Sequence, residues 1–243
     1  MTDKLIYTMH DVLEMLDKLL QDRQERWWDE FFSDRGKECP FFVEWPDENL
    51  VAHFDSGELR PGRVLELGCG HGRNALFLAR KGCQVDAVDF SQEAIAWAKE
   101  RAGSAELNIN FICQSVFDLD IRLREYDIVY DCGCFHHLPP HRRQSYVELV
   151  TKALKPSGHF ALACFTPEGG SGLTDAEVYQ QRKLGGGLGY TDTQLREIFS
   201  RAFNILCLRR MKEMTADAKL FGKEFLWAVL MKPLPNKPVN PGR

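Results

Sequence analysis

The stretch that most constrains this chain is Val64-Leu65-Glu66-Leu67-Gly68-Cys69-Gly70-His71-Gly72-Arg73-Asn74, an apolar run that passes directly into a glycine-rich turn and then into helical periodicity. A strand, turn and helix in that order leave unpaired backbone N–H groups at the helix start, and glycines there let a ligand lie against the main chain. The next strand closes on Asp89, 21 residues beyond Gly68, where a carboxylate can accept from both hydroxyls of a ribose. Ser91 lies closer to the following helix and is the better N-cap, so Asp89 is read as a group that holds a nucleoside. The spacing is G-x-G-x-G, with Arg73 where the dinucleotide fingerprint wants its third glycine.

Between residues 61 and 232 short apolar runs alternate with helical stretches, the pattern of a doubly wound α/β domain with a mostly parallel sheet. Strands are expected at Val64–Leu67, Gln84–Val88, Ile109–Cys113, Tyr126–Asp131, His159–Cys164, Phe203–Met211 and Phe225–Met231. Helices fit at Arg73–Lys81, Gln92–Arg101, Arg142–Ala153 and Thr193–Phe203. Only Lys212 to Lys223 separate the last two strands, too short a stretch for a helical crossover, so an antiparallel terminal pair is expected.

Residues 1–60 read as a cap on that domain. Leu5, Val12, Leu13, Leu16, Leu19 and Leu20 recur at helical spacing, followed by the aromatic cluster Trp27, Trp28, Phe31 and Phe32. A strap bounded by Pro40 and Pro46 then carries Phe41, Phe42 and Trp45. Residues 166–190 contain seven glycines after the fifth strand, a candidate lid with hinges on both sides of a helical stretch from Thr174 to Lys183. Residues 233–243 are expected to be a frayed tail.

A net charge of -4 and a pI near 6.0 offer no basic footprint for a phosphate backbone, so nucleic acid is not an expected partner. Met1 to Leu20 has no uninterrupted apolar core, which argues against a signal peptide or membrane span and for a cytoplasmic location. The eight cysteines fall mostly in apolar runs and read as reduced thiols. Cys132 and Cys134 form C-x-C without a second pair at zinc-site spacing, so no metal is expected.

Taken with Tyr126-Asp127-Ile128-Val129-Tyr130-Asp131 and Leu154-Lys155-Pro156-Ser157-Gly158, these motifs resemble the class I S-adenosylmethionine-dependent methyltransferases over about residues 63–232. The resemblance implies a Rossmann-like sheet of seven strands whose final strand is inserted antiparallel. It implies S-adenosylmethionine as cofactor, with Glu66, Gly68, Cys69 and Gly70 along its methionyl part, Asp89 on the ribose, Phe90 on the adenine face and Ser115 and Val116 beside the exocyclic amine. Many family members carry Asp where this chain has Ser115, which leaves that adenine contact to the backbone or to a hydroxyl. Backbone carbonyls near Asp131 and Cys132 are expected to accept from the methionyl ammonium.

A sulfonium methyl is already activated, so alignment and exclusion of water are the main tasks. An amine or hydroxyl acceptor also needs a base; a thiolate does not. His137 is the candidate base. His136 and His137, as neighbours on extended chain, are expected to point to opposite sides, which leaves one of them structural. Phe42, Trp45, His136 and Tyr190 are candidate residues of the acceptor pocket, and Trp27 and Trp28 are read as core packing. The implied activity is methyl transfer to a small-molecule nucleophile. A non-catalytic S-adenosylmethionine-binding module and a NAD-dependent oxidoreductase stay open, although Arg73 and the antiparallel pair speak against the latter.

Overall fold

The computed structural model describes residues 5–20 and 25–235. A seven-stranded sheet in the order β3-β2-β1-β4-β5-β7-β6 forms its centre. The strands are β1 (Arg63–Leu67), β2 (Gln84–Asp89), β3 (Asn110–Cys113), β4 (Tyr126–Cys132), β5 (Leu154–Phe165), β6 (Phe203–Arg210) and β7 (Leu226–Pro233). β1 pairs in parallel with β2 and β4, β2 with β3, and β4 with β5. β7 runs antiparallel between β5 and β6, because the short link after β6 admits only a tight return.

Helices cover both faces, which is why the central strands are buried almost throughout. Period-2 alternation divides their side chains. Val64, Val85, Ile128 and Tyr130 pack with α3 (Glu48–Asp55), α4 (Arg73–Arg80) and α5 (Gln92–Ser104). Leu65, Leu67, Val88 and Val129 pack with α6 (Arg143–Ala153) and α8 (Asp192–Phe199) on the opposite face. Ser91 caps α5, its Oγ accepting from Ala94 N at 3.1 Å, as its position in the sequence suggested.

Before the sheet come α1 (Met9–Leu19) and α2 (Glu25–Ser33); α7 (Asp175–Gln181) lies in the 166–190 segment. None of the helices among the described residues is long and apolar enough to cross a membrane. Several expected boundaries move. β5 begins at Leu154, five residues before His159, because Leu154 pairs with Tyr126 ahead of a register shift. There a Cβ on Gly158 would sit 3.0 Å from Asp127 O. The helix expected to run to Phe203 ends at Phe199, and Phe203 instead opens β6 with its ring buried. β7 takes in Pro233, which had been read as the start of the tail; residues 236–243 lie outside the described residues.

Candidate active site

β1 and β4 are adjacent, yet the chain leaves β1 toward β2 on one side and arrives at β4 on the other. Such a switch point opens a crevice at the carboxyl ends of the strands. The turn after β1 lines that crevice. Gly68, Gly70 and Gly72 have φ of +68°, +53° and +79°, backbone that side chains with a Cβ adopt only with strain. A Cβ on Gly68 would meet Cys134 Cβ at 2.7 Å, whereas on Gly70 its nearest neighbour would be the tip of the Phe32 ring at 3.3 Å. Gly68 therefore serves the contact between two loops, and Gly70 faces the crevice.

Asp89 ties this turn to β2. Its carboxylate accepts from Gly70 N at 2.8 Å and from Ser91 N at 3.0 Å. Burial pushes its pKa up to about 6, with the N–H donors of Ser91, Gly70 and Phe90 pulling the other way. Ser115 and Val116 open the short 3-10 turn that follows β3, where the Ser115 hydroxyl accepts from Phe117 N at 3.3 Å.

Behind the glycine turn lies a buried polar network absent from the expectations. Asp47, fully buried at the start of α3, pairs with Arg73, accepts from Asn74 Nδ2 at 2.9 Å, and accepts a short hydrogen bond from Tyr130 Oη. Asp47 N in turn donates to Asn74 Oδ1 at 2.9 Å. Asp47 overcomes the desolvation of the Arg73 guanidinium and holds it charged. Glu66 stands nearby. Burial raises its pKa well above the usual carboxylate range, Arg73 opposing, and its Oε2 is buried with no hydrogen-bond partner among the described residues.

The loop after β4 is shaped by Asp131, whose side chain points to the α6 face. It accepts from Cys134 N at 2.9 Å, from Phe135 N at 3.0 Å and from Tyr146 Oη. Burial pushes it up to about 7 despite these donors. The two backbone bonds hold the start of the Phe135–His137 3-10 turn, with Tyr146 anchoring the carboxylate, and that turn corrects the expectation that the two histidines diverge. Their ring centroids are 4.3 Å apart and both line one cavity. A 3-10 turn does not alternate as extended chain does. His136 Nδ1 accepts from Phe165 N at 3.2 Å, which assigns its proton to Nε2 in the neutral ring. His137 packs edge-on to Trp28, 4.8 Å between centroids.

The cavity is about 790 Å³. Of the residues named from the sequence, Glu66, Gly68, Cys69, Gly70, Asp89, Phe90, Ser115, Val116, Cys132, His136 and His137 line it. Phe42, Trp45, Asp131 and Tyr190 do not. Phe42 turns its ring to His71 and Trp97. Trp45 lies exposed, with its carbonyl accepting from Arg73. Tyr190 is buried against Phe135, 5.0 Å between centroids. Trp27 and Trp28, read as core packing, stand in the wall together with Phe31, Phe32 and Phe41. No signal in the sequence separates the two cases, because ring orientation depends on how α2 lies against α5. That placement is fixed by Asp29 of α2, which accepts from Ser91 Oγ at 2.7 Å and Glu93 N at 3.3 Å at the start of α5.

Residues 166–190 supply Glu168, Gly169, Leu184 and Gly186 to the wall, but several of their glycines serve close packing. A Cβ on Gly170 would sit 2.1 Å from Gly189 N, and one on Gly189 2.5 Å from Thr166 O. Val178, Leu184, Leu188 and Tyr190 belong to the main apolar core. The segment is thus part of the packed body and is not removable as a simple loop.

Residues 64–158 match a family model described as a methyltransferase domain. An uncharacterized methyltransferase of Synechocystis sp. is 33% identical over 122 residues, 50% of this chain and 52% of that protein. The chain spans about half the length of the curated relatives it matches. Among solved structures, one from work on the conversion of a disulfide bond into a thioacetal group during echinomycin biosynthesis superposes with a TM-score of 0.69 at 23% identity, covering 88% of this chain and 94% of that one. The 1,6-didemethyltoxoflavin-N1-methyltransferase of Burkholderia thailandensis, solved with 1,6-didemethyltoxoflavin and S-adenosylhomocysteine, gives 0.59 at 20% identity, covering 96% and 94%. The two structural likenesses establish the fold.

Proposed function

We propose that this chain, whose residues 64–158 match a methyltransferase domain, is a class I S-adenosylmethionine-dependent methyltransferase that moves the methyl group of S-adenosylmethionine to a small-molecule nucleophile. The observation that carries the reading is a single cavity joining a glycine turn and the Asp89 carboxylate to an aromatic wall and two histidines. The residues present fit the cofactor. Glu66 Oε2, a buried acceptor without a partner among the described residues, suits an ammonium. Gly70 faces the cavity with no Cβ to fill it, the tip of the Phe32 ring being the nearest neighbour, and Asp89 retains acceptor capacity for hydroxyls beyond its two N–H donors. Glu66, Gly68, Cys69 and Gly70 would hold the methionyl part, Asp89 the ribose, and Phe90, Ser115 and Val116 the adenine.

When bound, S-adenosylmethionine supplies a methyl group already activated on a positive sulfur. The protein's own contribution is then positional. Trp27, Trp28, Phe31 and Phe165 exclude water from the reacting side. Where the acceptor is a hydroxyl or amine, His137 takes its proton; His136 cannot do so at Nδ1 without losing the Phe165 N–H bond. Eight free thiols suit a reducing compartment such as the cytoplasm.

Thermal denaturation with S-adenosylhomocysteine and with NAD tests the reading. A ligand that binds only the native state raises the melting temperature, and the expected result is a rise with S-adenosylhomocysteine alone. A rise with NAD instead would overturn the proposal. Transfer of a labelled methyl group to any acceptor then separates an enzyme from a binding module.

A further inference from the structure

Resting on that reading, we infer that the methyl acceptor is an uncharged, planar aromatic molecule. The cavity is chemically divided. Glu66, Asp89 and Arg73 belong to the glycine-turn side, whereas Trp27, Trp28, Phe31, Phe41, Phe165 and Phe225 supply the rest of the wall with ring surface. At about 790 Å³ it lies in the upper part of the range that ligand pockets span, roughly 300–1,000 Å³, with room for an acceptor beside the cofactor.

Charge narrows the acceptor. Arg73 is the one Lys or Arg among the described residues of the wall, and it is ion-paired to Asp47. The Lys37 ammonium lies over the Phe31 ring, 3.9 Å from its centroid, but does not line the cavity, so a carboxylate or phosphate on the acceptor would be desolvated without a cation in the wall to match it, a costly burial. Two further carboxylates line the cavity, Asp17, paired with Arg142, and Glu168, paired with Arg210; like Arg73 they are matched by their own partners and leave no cation for an anionic acceptor. A cationic acceptor would instead meet the positive sulfur of the proposed cofactor at short range in a poorly solvated site. His136 adds no charge, being held in its neutral tautomer by the Phe165 N–H.

Ring geometry narrows it further. Trp27 stacks on Phe31 at 5.2 Å with 20° between planes, and Phe31 stacks on Phe41 at 5.8 Å and 22°. Each of these two neighbouring pairs is thus within 22° of parallel. A flat aromatic molecule can extend such an offset stack, and a puckered aliphatic one cannot.

The test uses protein saturated with S-adenosylhomocysteine, titrated by calorimetry with three probes: 2-naphthol, 6-hydroxy-2-naphthoate and decahydro-2-naphthol. The first carries no charge, the second adds a carboxylate and the third has the same size without aromaticity. Expected is at least tenfold tighter binding of 2-naphthol than of either of the others. In Trp28→Ala, with S-adenosylhomocysteine binding retained as the check on folding, 2-naphthol should weaken at least fivefold. Phe41→Arg should narrow or reverse the gap between 2-naphthol and the naphthoate. Equal or tighter binding of the carboxylate or of the saturated probe to the unmodified protein, or no binding of any of the three, would overturn the inference. Failure of S-adenosylhomocysteine itself to bind would instead sink the proposed function, so the two failures are distinguishable.

Discussion

The two sides of the cavity are built by different means. The glycine-turn side is backbone: positive-φ glycines, strand ends and a carboxylate held by main-chain N–H groups. The opposite side is side chain: rings carried on α2 and the strap, held in place by Asp29 on the start of α5. Backbone geometry leaves a local mark in sequence, since only glycine tolerates those dihedrals cheaply. A ring wall leaves a composition but no address. On the proposed function the first side binds the cofactor and the second chooses the acceptor.

The largest effect is expected from Gly70→Val. A branched side chain at φ +53° is strained and meets the Phe32 ring at 3.3 Å. Affinity for S-adenosylhomocysteine should fall at least about 100-fold, near 2.8 kcal/mol, with circular dichroism unchanged. Gly68→Val is the contrast: its Cβ would run into Cys134 at 2.7 Å, so there the fold itself should suffer, seen as a lowered melting temperature without ligand.

Asp89→Ala comes next, with a loss of about 1.5–3 kcal/mol of cofactor affinity, the range for hydrogen bonds to a charged group. Its titration gives a second readout. Asp89 is raised from 3.8 to about 6 by burial, so its contribution to stability is complete below about pH 3.8 and is lost as pH rises through 6. If Asp89 holds the ribose as proposed, its ionised carboxylate is the better acceptor for two hydroxyls, so S-adenosylhomocysteine affinity should rise through the same pH window. The opposite slopes are the signature. Asp89→Asn should flatten the affinity profile, and an unchanged profile would assign it to another group.

Much of the first side was legible. The seven strands, the terminal antiparallel pair and the Ser91 cap follow from local periodicity, chain length and turn chemistry, all of which act between near neighbours. The buried Asp47 network was not legible, because Asp47 and Arg73 are 26 residues apart and nothing local marks a carboxylate as buried. The divergence expected of His136 and His137 rested on extended backbone. Asp131 replaces that geometry with a 3-10 turn by accepting from Cys134 N and Phe135 N, while Tyr146 on a later helix donates to the same carboxylate. Tyr190, Phe42 and Trp45 went astray for the same reason as Trp27 and Trp28: tertiary packing decides which face of a helix or strap meets the cavity.

The smallest effect is expected at the edge of the second side. Asp17 of α1 lines the cavity and pairs with His141 at 2.8 Å and with Arg142. Burial works against its ionisation, yet hydrogen bonds from His141 and Arg142 bring its pKa down to about 2. Its share of stability is present above about pH 3.8 and lost as pH falls toward 2. Because the side chain is 39% exposed, Asp17→Asn should lower stability by about 1 kcal/mol at most near neutral pH. S-adenosylhomocysteine affinity should not change.

Titration of S-adenosylhomocysteine by calorimetry into the unmodified protein, Asp89→Ala and Trp28→Ala, side by side, tests the division of labour most directly. Expected are binding to the unmodified protein, at least about tenfold weaker binding to Asp89→Ala, and affinity within about threefold of the original, roughly 0.7 kcal/mol, in Trp28→Ala. Equal losses in the two variants, or no binding to the unmodified protein, would contradict that division.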